Sequence, residues 1–338
     1  MDVTIKDVAR VAGVSPSTVS RVLAGNPAIS LETQEKVRGV LREMNYYPHA
    51  GARSLVTGTS RTIGLVTSRP TTETFANPFF PEVIRGIGSV LDTEGYNLLL
   101  STSQREACLQ MLRTRHVDGV ILTSSLLGDQ LIDALVAEKR NFVLIGRPAD
   151  HTGQLSHASV NFVNNDNVAA AALATEHLLQ RGHRRVAFVS GPQERVYCFD
   201  RLQGYRKALA TAGLPFEPEL VREGRVTQQD GAQALDQLLT LPAPPTAILA
   251  MDDILALGVL DAAARRGLRI PADLAIVGFN DSPITTRTRP PLTTVRIPVF
   301  DLGAMAARMM LAMLNGASFS PHQVILPSQI IPRESTGG

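Results

Sequence analysis

From residue 4 to residue 44 the apolar positions follow a helical period. Ile5, Val8, Ala9 and Ala12 fall at i, i+3, i+4 and i+7, one face of a short helix. Thr4 with Asp7 three residues on predicts a capping-box start, Asp standing in for the usual Glu or Gln. Gly13 supplies a turn. Ser15 predicts the N-cap of a second helix with Pro16 at its first position, where no backbone donor is missed. Val19, Val22 and Leu23 form that helix's apolar side. Ser30 caps a third, whose Val37, Val40, Leu41 and Met44 keep the same period.

After "VTGTSR" the pattern changes to short apolar runs alternating with helical stretches. The runs "TIGLVTS", "NLLLSTS", "GVILTS", "FVLIGR", "RVAFVSG", "TAILAM" and "LAIVGFN" predict strands. Helices are predicted between them, at 80–94, 166–181, 199–212 and 253–266. Buried apolar strands alternating with helices imply parallel sheets covered on both faces. Two sets of such units, divided near residue 160, predict two similar lobes. A length of 338 residues allows two or three domains. Between the two patterns, "YYPHAGARSL" (46–55) has a proline, Pro48, near its start and holds Gly51 among small residues. A helix of two turns at most is marginal in water, and Gly51 weakens it further.

Charge and composition add little, but what they add is located. Residues 1–58 hold seven Lys or Arg against five Asp or Glu, and the remainder is balanced, so the net +2 sits on the N-terminal segment. That is compatible with a polyanionic partner. No apolar run approaches the ~18 residues that cross a membrane, and the charged N-terminus carries no signal-peptide core, so a cytoplasmic protein is expected. Cys108 and Cys198 show no pairing or metal-ligand pattern and are expected to be buried free thiols.

Three short helices with a glycine-containing turn between the first two describe a helix-turn-helix headpiece, in which the first turn of the second helix points at base edges. Pro16, Ser17, Ser20 and Arg21 lie off the apolar side, and Arg21 can donate two hydrogen bonds to guanine O6 and N7. A solvated helical face is the plain alternative. Thr4, Ser15, Thr18 and Ser30 complete the expected DNA-binding set in the headpiece.

The run "TIKDVARVAGVSPSTVSRVL" resembles the headpiece of the lactose-repressor (LacI/GalR-type) family of bacterial transcription regulators. The resemblance continues through "NYYPHAGARSL" and, in the family's order, through "HVDGVIL", "RGHRRVAFVSGP", "RLQGY" and "IVGFND", so it covers essentially the whole chain. It implies an α/β architecture: a three-helix headpiece (1–46), a hinge helix and linker (47–60), and a periplasmic-binding-protein-like core (61–338). The core would consist of two doubly wound parallel-sheet lobes, the first at about 61–159 and 296–317, the second at about 160–295 and 318–338. The chain would cross between lobes three times, the third time around "LTTVRIP", returning the helix at 299–315 to the first lobe. Only Arg105 to Arg115 separates "LLLSTS" from "HVDGVIL", which looks like a deletion at a surface helix relative to the family. In the resembling family the hinge folds when two copies pair over the DNA minor groove. Leu55 matches the leucine that wedges between bases, and Ala52 would face the partner helix.

Ligands in such folds sit at the carboxyl ends of the strands, between the lobes. Strand-end candidates for effector contact are Phe79, Phe80, Arg147, Arg195, Tyr197, Arg201, Asp252 and Asn280. By resemblance Arg201 and Asn280 match the arginine and the acidic residue that bind effector; Asn280 departs from the commoner Asp. Val226 falls where many members place a stacking aromatic. For each arginine a solvated or salt-bridged role is the plain alternative, and Phe79 and Phe80 could equally be core or dimer-interface residues.

The expected function is a sequence-specific transcriptional regulator that binds a pseudo-palindromic operator as a homodimer or larger homo-oligomer. A repressor released by a small sugar is the first choice. "VLIGRP" and "VNFVNNDN" look like sugar-responsive members, especially those for maltose-type glucosides. A purine- or other metabolite-responsive regulator and an activator remain open. No cofactor and no metal are expected. A sugar-processing enzyme is disfavoured by scattered histidines and the lack of a Ser-His-Asp set, with "MDD" at 251–253 more readily a helix cap than a metal site. A transport-type binding protein is disfavoured by the headpiece and the lack of a signal peptide.

Overall fold

The computed structural model describes residues 3–23, 26–46, 59–67, 71–102, 105–123, 125–317 and 322–337. Ala52, Leu55 and the hinge helix expected around them lie outside the described residues.

The headpiece is three helices: α1 (Ile5–Ala12), α2 (Pro16–Leu23) and α3 (Leu31–Glu43). The capping box at Thr4 forms in full. Thr4 Oγ1 accepts the Asp7 N–H at 3.4 Å, and the Asp7 carboxylate accepts the Thr4 N–H at 3.1 Å. Gly13 takes the left-handed backbone (φ +64°) that reverses the chain, and the Val14 N–H closes back on Ala9 O at 3.0 Å. Val8, Ala9, Ala12, Val19, Val22 and Val37 are buried together. Ile5, Leu23, Val40, Leu41 and Met44 pack around them half-buried.

Among the described residues the core holds two six-stranded sheets. The first lobe runs β1 (Thr62–Thr67), α4 (Thr71–Ala76), α5 (Phe79–Glu94), β2 (Asn97–Ser101), α6 (Arg105–Arg113), β3 (Gly119–Thr123), α7 (Gln130–Ala137), β4 (Phe142–Ile145) and β5 (Phe162–Asn165). The second runs α8 (Asn167–Gln180), β6 (Val186–Ser190), α9 (Val196–Thr211), β7 (Val221–Glu223), α10 (Gln228–Leu238), β8 (Ala247–Ala250), α11 (Asp253–Arg265), β9 (Ala275–Phe279) and β10 (Thr293–Arg296). Then α12 (Val299–Leu314) packs on α5, β3, β4 and β5, back in the first lobe. Strand β11 (Gln323–Leu326) pairs parallel with β5, and β12 (Gln329–Ile331) pairs antiparallel with β10 in the second sheet.

Strand order is β11-β5-β4-β3-β1-β2 in the first sheet and β12-β10-β9-β8-β6-β7 in the second. Central strands such as β3, β6 and β9 are buried along their whole length because helices cover both faces. All seven predicted strands are present.

The lobe boundaries move. β5 and β11 hydrogen-bond into the first sheet, so the first lobe extends to Asn165 and includes 323–326, rather than ending near 159 and 317. The crossings fall after Asn165, after Arg296 and after Leu326. The one at "LTTVRIP" is therefore the second, and the third is the two-residue link between β11 and β12. A pattern of apolar runs does not reveal which sheet a strand such as β5 or β11 joins.

Within the first lobe, α5 and α12 cross at two glycines. A Cβ on Gly86 would lie 2.1 Å from Phe300 O, and one on Gly303 would lie 2.3 Å from Val83 O. The two helix backbones touch there, which fixes the start of each helix at the mouth of the interlobe cleft.

Candidate functional sites: the headpiece face and the interlobe cleft

On the headpiece, Pro16, Ser17 and Arg21 are exposed, while Thr18 and Ser20 are half-buried. Ser15 caps α2: its hydroxyl accepts the Thr18 N–H at 3.1 Å and bonds the Ser17 and Thr18 hydroxyls at 2.7 and 2.8 Å. Ser30 caps α3 by accepting the Thr33 N–H at 3.3 Å. Thr4, Ser15 and Ser30 thus prepare helix N-termini, where backbone N–H groups favour anions. Arg21, on the exposed side of α2, has the length and the fork to read a base edge.

Seven of the eight cleft candidates come together. Phe79, Phe80, Arg147, Tyr197, Arg201, Asp252 and Asn280 line one cleft between the lobes. Arg195 does not line it. It precedes α9, half-buried, and its backbone forms a bridge with Leu126 of the first lobe. Val226 also lies outside the lining and packs beside Gly191. Phe79 and Phe80 meet edge to face at 5.4 Å between centroids, with Phe80 buried, so one face is packed and the other borders the cleft.

Arg201 is almost fully buried. Its Nε donates to Asn167 Oδ1 at 3.0 Å and its Nη1 to Met251 O, and its plane stands 4.1 Å from the centre of the Phe279 ring and 5.5 Å from that of Tyr197. Burial pulls its pKa down, and the nearby Asp252 carboxylate opposes that pull. Asp252 caps α11 through the Ile254 N–H at 2.9 Å; its other oxygen accepts from Asn280 Nδ2 at 3.0 Å and, across the cleft, from Asn77 Nδ2 at 3.1 Å. Beside it, burial pushes the Asp253 carboxyl up to about 7, with Ser282 and Thr294 hydroxyls donating to it at 2.8 and 2.7 Å.

Arg147 lines the cleft and is salt-bridged as well. It projects from the first lobe and makes a two-pronged ion pair with Asp200 on α9 of the second: Nε to Oδ2 at 2.9 Å, with Nη2 on Oδ1 and on Gly153 O. Burial raises the Asp200 pKa, and the Arg147 guanidinium opposes that rise. Beside this pair the Leu127 N–H bonds Glu194 O at 2.8 Å and the Val196 N–H bonds Ser125 O at 3.1 Å, so the lobes are stitched along one edge of the cleft.

Six lining polar residues were not singled out from the sequence: Asn77, Ser125, Asn164, Asn165, Asn167 and Asp200. Three belong to "FVNNDN", at the point where β5 leaves the first lobe and α8 opens the second. Asn165 Nδ2 donates to Asn167 Oδ1 at 3.2 Å, and the same oxygen accepts from Arg201 Nε at 3.0 Å. An amide run at a strand end was the available signal. Nothing local marks Asp200, whose partner lies 53 residues away.

Comparison with known proteins adds to this geometry. A profile described as "Bacterial regulatory proteins, lacI family" matches residues 4–49, and one described as "Periplasmic binding protein-like domain" matches residues 175–336. The transcriptional regulator CelR of Thermobifida fusca is 34% identical over 336 residues, covering 98% of each chain. Among solved structures, a CelR–cellobiose complex superposes with a TM-score of 0.76 at 33% identity, covering 98% of this chain and 99% of that one. A lac repressor dimer bound to operator and an anti-inducer gives 0.83 at 30% identity, covering 99% of both. The chain belongs to the lacI family of bacterial regulatory proteins, and its place there is that of a DNA-binding transcriptional regulator. Among the described residues no helix is long and apolar enough to cross a membrane.

Proposed function

We propose that the chain is a sugar-responsive repressor that holds a pseudo-palindromic operator as a homodimer or larger homo-oligomer and releases it when a small neutral sugar occupies the interlobe cleft. The observation that carries this is the lining of the cleft: Asn77 and Arg147 from one lobe, Arg201, Asp252 and Asn280 from the other. Amide, carboxylate and guanidinium groups in one place suit hydroxyls, which both donate and accept. The cellobiose held by the similar CelR structure supports a glucoside as ligand class.

On the DNA side, Ser17, Ser20 and Arg21 face the bases, with Pro16 starting their helix, and Thr4, Ser15, Thr18 and Ser30 serve the phosphate backbone. One headpiece makes few base contacts, and two-fold pairing doubles them. The operator-bound dimer among the similar structures supports that arrangement. Ala52 and Leu55 are assigned to hinge pairing and the minor-groove wedge on their sequence match. The work is done in the cytoplasm, and no reaction is assigned to the cleft. The sugar acts by population shift, binding more tightly to the lobe arrangement that spreads the headpieces.

The test is a titration of operator-bound protein with cellobiose, maltose, glucose, a nucleoside and a purine base. Cellobiose or another neutral glucoside is expected to release DNA. Arg201→Lys keeps the charge but loses the fork and the stack on Phe279; it is expected to bind operator normally and to need about tenfold more sugar for release. Tightening of the DNA complex by a purine overturns both the ligand class and the sign.

A further inference from the structure

Two consecutive residues at the carboxyl end of β9 hold left-handed backbones without being glycine: Asn280 at φ +104° and Asp281 at φ +52°. Asn280 lines the cleft and donates to Asp252. Asn and Asp enter this region more readily than other side-chain-bearing residues, but two in succession need surroundings that hold them there. Here the determinants converge on Asp281. Its Oδ2 accepts from Arg296 Nε at 2.7 Å and its Oδ1 from Arg333 Nη2 at 2.5 Å, and its backbone N–H reaches Thr294 Oγ1 at 3.3 Å. The side chain is only 9% exposed and does not line the inner cleft.

Both arginines are placed by the topology. Arg296 ends β10, just before the chain crosses to the first lobe, and Arg333 follows β12, just after the chain has returned. Arg333 is committed to this spot: its Nη1 also donates to Leu292 O at 2.7 Å and Thr285 Oγ1 at 3.0 Å, and its backbone N–H to Thr293 Oγ1 at 2.8 Å. A carboxylate between two guanidiniums forms charge-assisted bonds, stronger than neutral ones. The same carboxylate therefore ties the turn that presents Asn280 to two of the three interlobe segments.

We propose that Asp281 is a positioning residue for effector binding: clamped by Arg296 and Arg333, it holds Asn280 in the backbone that turns its amide to the cleft. Asp281 does not itself touch the effector. The inference rests on the cleft being the effector site.

The test uses the full chain, Asp281→Asn, Arg333→Lys and Arg333→Met, with cellobiose as probe. Asparagine tolerates the left-handed backbone and keeps the shape but loses the charge, so it removes the clamp and little else. Three readouts are compared: hydrogen exchange of the peptide spanning 278–284, cellobiose affinity, and operator affinity without sugar. For Asp281→Asn and Arg333→Met, exchange at 280–282 and the cellobiose dissociation constant are each expected to rise by about tenfold, the scale of a lost charged hydrogen bond. Operator affinity is expected to hold, which a general loss of structure would not allow. Arg333→Lys, keeping the charge, is expected to recover much of the loss. Wild-type exchange and wild-type cellobiose affinity in Asp281→Asn overturn the proposal. If cellobiose does not bind the wild-type protein, the ligand class is at fault, and the exchange comparison alone decides the role of Asp281: faster exchange supports it and unchanged exchange overturns it.

Discussion

Arg21 and His177 show how far single residues can be argued. Arg21 is exposed on a helix whose other side is fixed by Val19 and Val22, so replacing it leaves the headpiece core intact. Arg21→Ala is expected to cost about 1–3 kcal/mol at the cognate operator and to relax preference at one base pair per half-site. Competition binding against single-base operator variants checks this; full discrimination in the variant removes the assigned role. His177 is buried on α8, with Nε2 2.9 Å from the Thr336 hydroxyl, and burial pulls its pKa down to about 4. The unfolded chain, titrating near 6.5, then binds more protons between pH 4 and 6.5, so this group's contribution is complete above 6.5 and is lost as pH falls toward 4. The size is on the order of 3 kcal/mol. Asp253, raised to about 7, has the opposite slope over much of that range, so the wild-type curve mixes the two. The difference between wild type and His177→Gln in urea melts at pH 4.5 and 7 isolates the histidine. An equal effect at both pH values contradicts the account.

At the scale of elements, the helix pair α5–α12 is set by backbone contact, and glycines test it in opposite directions. Gly86→Ala must push its methyl into Phe300 O, and a cost of about 2–3 kcal/mol is expected, as for an overpacked core. Gly88, two residues along the same helix, meets nothing within 4 Å. Gly88→Ala is expected to stabilise by about 0.5–1 kcal/mol through helix propensity alone. Denaturant midpoints of the two variants check the pair, and equal shifts would mean the helices can slide apart. The elements also show what the sequence could reveal. The central strands were legible because β3, β6 and β9 are unbroken apolar runs. β7 (VRE), β11 (QVIL) and β12 (QII) were not predicted: they are edge strands, half wet, and their polar residues break the run. β5 was missed because its last two positions are the asparagines that line the cleft. The helix caps at Thr4, Ser15 and Ser30 were readable because they are local. The Arg147–Asp200 pair was not, because it joins two lobes through folding alone.

At the scale of the molecule, headpiece and cleft sit in one chain and share no residues, so they can communicate only through the arrangement of the lobes. The cleft is joined across its width by the Arg147–Asp200 pair, the Asn77–Asp252 bond and the backbone bridge at Leu126 and Arg195. A ligand entering there exchanges some of these contacts for its own, and its affinity therefore depends on which lobe arrangement it meets. Two sites linked only by such a shift must be reciprocal: whatever factor the sugar takes from DNA affinity, DNA takes from sugar affinity.

That equality is the most direct test. The dissociation constant for the releasing sugar is measured on free protein and on protein saturated with operator, and the constant for operator is measured with and without saturating sugar. The account predicts that both ratios exceed one and agree, within a range of about 5–150-fold. Sugar that binds with the same constant in both states, while the protein still leaves its operator, would contradict it.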